Sequence, residues 1–132
     1  MVRRLSLLLA AGAAGGLANA LVVWWLADVG VARALGLAVG AALTPGFLYP
    51  RIVWGGLWGL VFALPVSAGG WVRRGLLLSL APSLVQLLVV LPFRDGRGLL
   101  GLELGGAMPL FVLVANAVWG LAASGWLRAA RG

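Results

Sequence analysis

The chain has no cysteine, no histidine and no lysine, and only three acids, Asp28, Asp95 and Glu103, in 132 residues. Without cysteine, disulfides and thiol chemistry are excluded. Without histidine, and with no two acids at metal-ligand spacing, the usual side chains of metal and redox centres are missing. No Walker loop and no G-x-S-x-G motif occurs either. The chain is therefore not expected to be an enzyme, and no metal or cofactor is expected.

What is present is apolar. Hydrophobic residues make up 63% of the chain and charged residues 10%, with a mean hydropathy of +1.09. Soluble domains carry about a quarter charged residues, and a fold of this size cannot hide so much apolar surface from water. Ten arginines give a formal net charge of +7. They stand in ones and twos between apolar runs with no basic face, so they read as topology determinants, and no nucleic-acid partner is expected.

These features predict an all-α integral membrane protein with four transmembrane helices, at about 5–27, 51–71, 75–93 and 107–127. Arg3 and Arg4 before Leu5–Leu17 and Ala18-Asn19-Ala20 imitate a secretory signal. The apolar run continues through Leu26, however, so an uncleaved helix is expected. Residues 31–49, interrupted by Gly36, Gly40, Pro45, Gly46 and Pro50, predict a short re-entrant or interfacial helix with a turn at Thr44-Pro45-Gly46. With four spans, Arg3, Arg4, Arg73, Arg74, Arg128 and Arg131 fall on one side and all three acids on the other. This predicts a multi-pass protein of the cell (inner) membrane with both termini cytoplasmic. Leu35–Gly40 resembles Leu100–Gly105, which suggests a weak tandem repeat, 1–74 and 75–132, within a single domain.

Three side-chain amides, Asn19, Gln86 and Asn116, fall near the middle of three spans. Helical spacing places Asn19 with Gly12 and Gly16, Gln86 with Ser79 and Ser83, and Asn116 with Gly120. Each helix thus carries one small or polar stripe, suited to close helix packing or to a polar track. Gly55 and Gly59 form a further small-residue pair in the second span. On the outer side, Arg51 starts a span and Glu103 sits between leucines, so an ion pair between them is expected. Size and span count are shared with the small multidrug exporters and the small fluoride channels. The exporters' glutamate in the first span has no counterpart here, where Asn19 stands. The channels' Thr/Ser-rich break differs from Ser79–Gln86.

Two functions fit this pattern. One is an oligomeric channel, transporter or lipid-facing transfer protein for a small neutral or anionic solute, built on the amide level. The other is a non-catalytic structural or accessory subunit that binds another membrane protein. Expected partners are membrane lipid and a second copy or another membrane protein.

Overall fold

In the computed structural model the described residues are 2–38, 42–65 and 69–130. They form helices and no strands. Gly40 of the first repeat copy and the terminal Arg131 lie outside the described residues.

The first helix, α1, runs from Val2 to Asp28. Its leucines and alanines favour helix and no proline interrupts it. It ends where Gly30 takes a left-handed φ of 86°. A single turn, α2 (Val31–Ala34), follows. The expected turn at Thr44-Pro45-Gly46 is instead the start of the next helix, α3 (Pro45–Trp58). Thr44 is its N-cap, with Oγ1 accepting from the Phe47 N–H at 3.3 Å, and Pro45 occupies the first helical position. Proline is preset for that position, where its missing N–H costs nothing. Five residues of 3-10 helix, Gly59–Ala63, continue α3. They stop at Leu64, which the following proline holds extended at φ −67°, ψ 138°. The helix expected at 51–71 thus lies over 45–63.

The third long helix, α4 (Trp71–Val85), continues into a π-helical stretch, Gln86–Arg94, that contains Pro92. Residues 99–104 form a 3-10 segment turned by left-handed Leu100 (φ 59°) and Gly101 (φ 70°). The last helix, α5, spans Met108–Ala130. Three helical stretches are long and apolar enough to cross a membrane: Val2–Asp28, Trp71–Arg94 and Met108–Ala130. The helix at 45–63 is not among them, so four spans are not established by length and composition.

The long helices alternate in direction. On α1, Asn19 faces Ala115 and Asn116 of α5, while Gly12 faces Trp119 and Gly55. On α4, Gly75 meets Gly120 and Gln86 meets Asn116. The resulting lateral order is α3, α1, α5, α4, with α1 and α5 central and almost no contact between α3 and α4. The α1–α5 contact therefore has no counterpart of similar extent between α4 and α3.

Glycines set the closeness of two of these interfaces. A Cβ on Gly12, Gly16 or Gly59 would collide with the Gly55, Arg51 or Leu8 carbonyl, and one on Gly55 would lie 2.7 Å from the Gly16 Cα. Backbone meets backbone across α1 and α3. Gly75 and Gly120 do the same across α4 and α5.

Two apolar clusters fill the interior, one around Phe111, Leu91 and Leu37 and the other around Trp119, Phe62 and Leu8. The amides lie between them. Arginines gather at the end of the second cluster. Arg4 and Arg74 donate to the last carbonyls of the 3-10 extension, Ala63 and Phe62, where a cation suits the negative end of a helix. Arg128 lies over the Trp71 ring, 5.7 Å from its centroid.

Candidate functional site

A continuous hydrogen-bonded chain crosses the bundle from α3 to α4. Arg51 Nη1 donates to Asn19 Oδ1 at 3.0 Å. Asn19 Nδ2 donates to the Ala115 carbonyl at 3.0 Å and to Asn116 Oδ1 at 3.2 Å. Asn116 Nδ2 donates in turn to Gln86 Oε1 at 3.1 Å. The polarity of this chain is dictated by its first member. A guanidinium can only donate, so Asn19 must offer its oxygen to Arg51 and its NH2 to α5. Asn116 then turns its NH2 towards Gln86. Every donor points the same way along the chain, and the Gln86 NH2 at its far end donates to no described residue.

Asn19 and Asn116 are buried. Unpaired, they would each cost several kcal/mol in a medium that cannot hydrogen-bond; paired, they join α1, α4 and α5 at one level. From the helical rise, this level lies about 9 to 14 Å below the Asp28, Pro45, Arg94 and Met108 ends. The structure thus brings together the three amides named from the sequence.

It does not bring together Arg51 and Glu103. Among the described residues no ion pair joins them. Because α3 begins at Pro45, Arg51 stands in its second turn rather than at its entrance. It also lies on the Gly55–Gly59 face that packs on α1, which carries the guanidinium inward to Asn19 and over the Phe47 ring, 4.5 Å from its centroid. Glu103 folds back against Gly98 in the outer segment. Ser79 and Ser83 are also not part of the polar chain. Their hydroxyls turn back to Leu76 and Ser79 carbonyls of their own helix, at 2.7 and 2.8 Å.

Sequence reasoning missed Trp119. Its buried indole N–H is shared between the Gly12 and Gly55 carbonyls at 3.2 and 3.3 Å, so one side chain from α5 ties α1 to α3. Its ring packs against Phe62 at 5.8 Å between centroids. Trp119 is three residues beyond Asn116 and so shares its helical face, which was a readable signal.

Beside the polar chain is a groove of about 540 Å³. Its walls are α3 (Phe47, Pro50, Trp54, Trp58) and α4 with its π continuation (Pro82, Val85, Val90). Its floor is α1 and α5 (Gly16, Asn19, Asn116, Trp119). Arg51 and Gln86 face it from opposite walls, and Arg94 and Asp95 stand at its mouth. Since α3 and α4 do not pack on each other, the groove is open along the side of the bundle. Compared with protein-family models, curated proteins and solved structures, the chain matches none.

Proposed function

We propose that this is a four-span, lipid-facing transfer protein of the inner membrane, which holds the polar end of an anionic molecule in the α3–α4 groove. The observation that carries this reading is Arg51. Of its five N–H donors, only one meets an acceptor among the described residues, and the guanidinium faces a groove open towards the surrounding hydrocarbon. A cation in such a place is costly unless it has a partner. An anionic ligand supplies one. The fourth span is α3 with its extension, fourteen α-helical and five 3-10 residues. At the rises of the two helix types this reaches about 31 Å, close to the hydrocarbon thickness. The arginine-rich end then faces the cytoplasm with both termini. Transfer on this route needs no covalent chemistry.

The test uses proteoliposomes with tail-labelled diacylglycerol lipids that carry either a phosphoglycerol or a hemisuccinate headgroup. Dithionite added outside reports movement between leaflets. The wild-type protein should accelerate loss of label from the inner leaflet for at least one headgroup. Arg51→Gln should abolish the gain and Arg128→Gln should keep it. No acceleration for either lipid, or equal acceleration by Arg51→Gln, would refute the reading.

A further inference from the structure

We propose that the ligand of this groove is the phosphate of a membrane lipid, received by Arg51 and the Gln86 amide, with the acyl chains leaving sideways between α3 and α4. The inference rests on the groove being the functional site.

The chemistry of the lining selects an oxyanion. Because Arg51 fixes the polarity of the amide chain, both of its ends present N–H groups to the groove: the guanidinium on the α3 side and the Gln86 NH2 on the α4 side. The Asn19 and Asn116 oxygens on the floor are already occupied by N–H donors. Each oxygen of the chain thus already accepts one N–H, while unused N–H donors remain at both of its ends, an arrangement that favours an anion. Among the described residues the one carboxylate in the lining is Asp95 at the mouth, and no ion pair joins it to Arg51.

The number of donors selects phosphate over carboxylate. A carboxylate that meets a guanidinium in the two-pronged manner uses both oxygens. A phosphate monoester, with three non-bridging oxygens, keeps a further oxygen when engaged the same way, and Gln86 on the opposite wall has the donor to meet it. Arginine is also the side chain whose planar fork matches phosphate best.

The walls select a lipid over a free ion. A volume of about 540 Å³ holds a headgroup but not two acyl chains. The walls are Trp54, Trp58, Pro50, Val85 and Val90, which give a dissolved ion nothing to bind. Outside the lining, Val53 and Leu57 on α3, Leu84 on α4 and Leu88 on its π continuation are exposed and apolar. Chains that leave the groove there enter hydrocarbon.

The experiment uses the full chain purified in a neutral detergent, with lipid adducts counted by native mass spectrometry. The probes are dioleoyl phosphatidic acid, dioleoylglycerol and inorganic phosphate. Phosphatidic acid should bind saturably, one per chain, at least tenfold tighter than dioleoylglycerol, and excess inorganic phosphate should not displace it. Arg51→Gln should weaken binding at least tenfold and Gln86→Leu severalfold, while Arg128→Gln at the opposite end leaves it unchanged. Should Arg51→Gln fail to fold, Val85→Trp supplies the second variant. It fills the groove from one wall while leaving every member of the polar chain in the sequence, and should expel the lipid. Equal binding of dioleoylglycerol, full displacement by inorganic phosphate, or undiminished binding by Val85→Trp would overturn the proposal. Transfer of the hemisuccinate lipid without phosphatidic acid binding would remove phosphate as the ligand and leave the transfer reading standing. Binding without transfer would do the reverse.

Discussion

Replacing Gly12 by alanine adds one methyl group at the tightest point of the α1–α3 contact. Its Cβ would collide with the Gly55 carbonyl oxygen and would lie 2.8 Å from both the Gly56 oxygen and the Gly59 Cα. Ordinary contact begins at 3.4 Å, so even the milder contacts fall about 0.6 Å short. Every obstructing atom is backbone and no rotamer change relieves it. The helices must separate, and a gap of about 0.5–1 Å forfeits a quarter to a half of each dispersion contact along the interface. Overpacking of this kind costs about 1–3 kcal/mol. Separation also weakens the shared hydrogen bond of Trp119, worth about 0.6 kcal/mol in a membrane protein. Gly46→Ala is the control, since nothing lies within 4 Å of a Cβ there and α3 is already helical at that position. Unfolding in mixed micelles of neutral detergent and SDS, followed by tryptophan fluorescence, should show Gly12→Ala destabilised by about 2–3 kcal/mol. Gly46→Ala should be unchanged or slightly more stable. Wild-type stability for Gly12→Ala would mean that α1 and α3 do not meet backbone to backbone.

Asn116→Leu removes the link shared by Asn19 and Gln86 and strands a buried Asn19 donor. A loss of about 1–2 kcal/mol in the same assay is expected, larger than for Gln86→Leu, which leaves unpaired only an Asn116 N–H that lines the open groove. Arg51→Glu and Glu103→Arg should show no mutual rescue: because the side chains do not pair, the double exchange should lose the sum of the single losses within about 0.5 kcal/mol. Substantial recovery in that double mutant would show that the two side chains do meet. With no native cysteine, topology can be read directly from Gly96→Cys and Ala129→Cys with a membrane-impermeant maleimide. Gly96→Cys should label in intact cells and Ala129→Cys only after the membrane is opened; the opposite result would reverse the proposed orientation.

The helical fold, its long apolar helices and the amide level were legible because they rest on rarity. Long apolar runs have few physical explanations, and an amide inside one must find a partner. The stripes Gly12–Gly16–Asn19 and Gly55–Gly59 were legible for the same reason. The place of Arg51 was misjudged because residues 31–49 were weighed by their helix breakers. Thr44-Pro45 is a cap followed by a first-turn proline, so a proline that argues against a helix interior here opens a helix. Once α3 begins at Pro45, Arg51 joins the glycine stripe by its spacing to Gly55, and its inward course follows. The serines of α4 misled because helical spacing gives a face but not the direction in which a hydroxyl bonds. The π continuation after Val85 and the near absence of contact between α3 and α4 left no local mark. They arise from which helices pack on which, and that choice is made between segments far apart in the chain.

The central position of α1 and α5 has a consequence for biosynthesis. Of these helices, α1, made before the others, and α5, made after them, pack at the centre of the bundle, while α3 and α4, made between them, end on the flanks. As the chain emerges, α1 and α3 can close their glycine contact early, which leaves Asn19 with Arg51 on one side and nothing on the other. The acceptors for the Asn19 NH2, the Ala115 carbonyl and Asn116 Oδ1, and the donor to Gln86 arrive only with α5. Until α5 is inserted, α4 lacks the helix it packs along and the groove has only half a floor. Assembly is therefore held open until α5 is inserted, and a chain stopped short of α5 would present its polar groups to the quality-control machinery of the membrane.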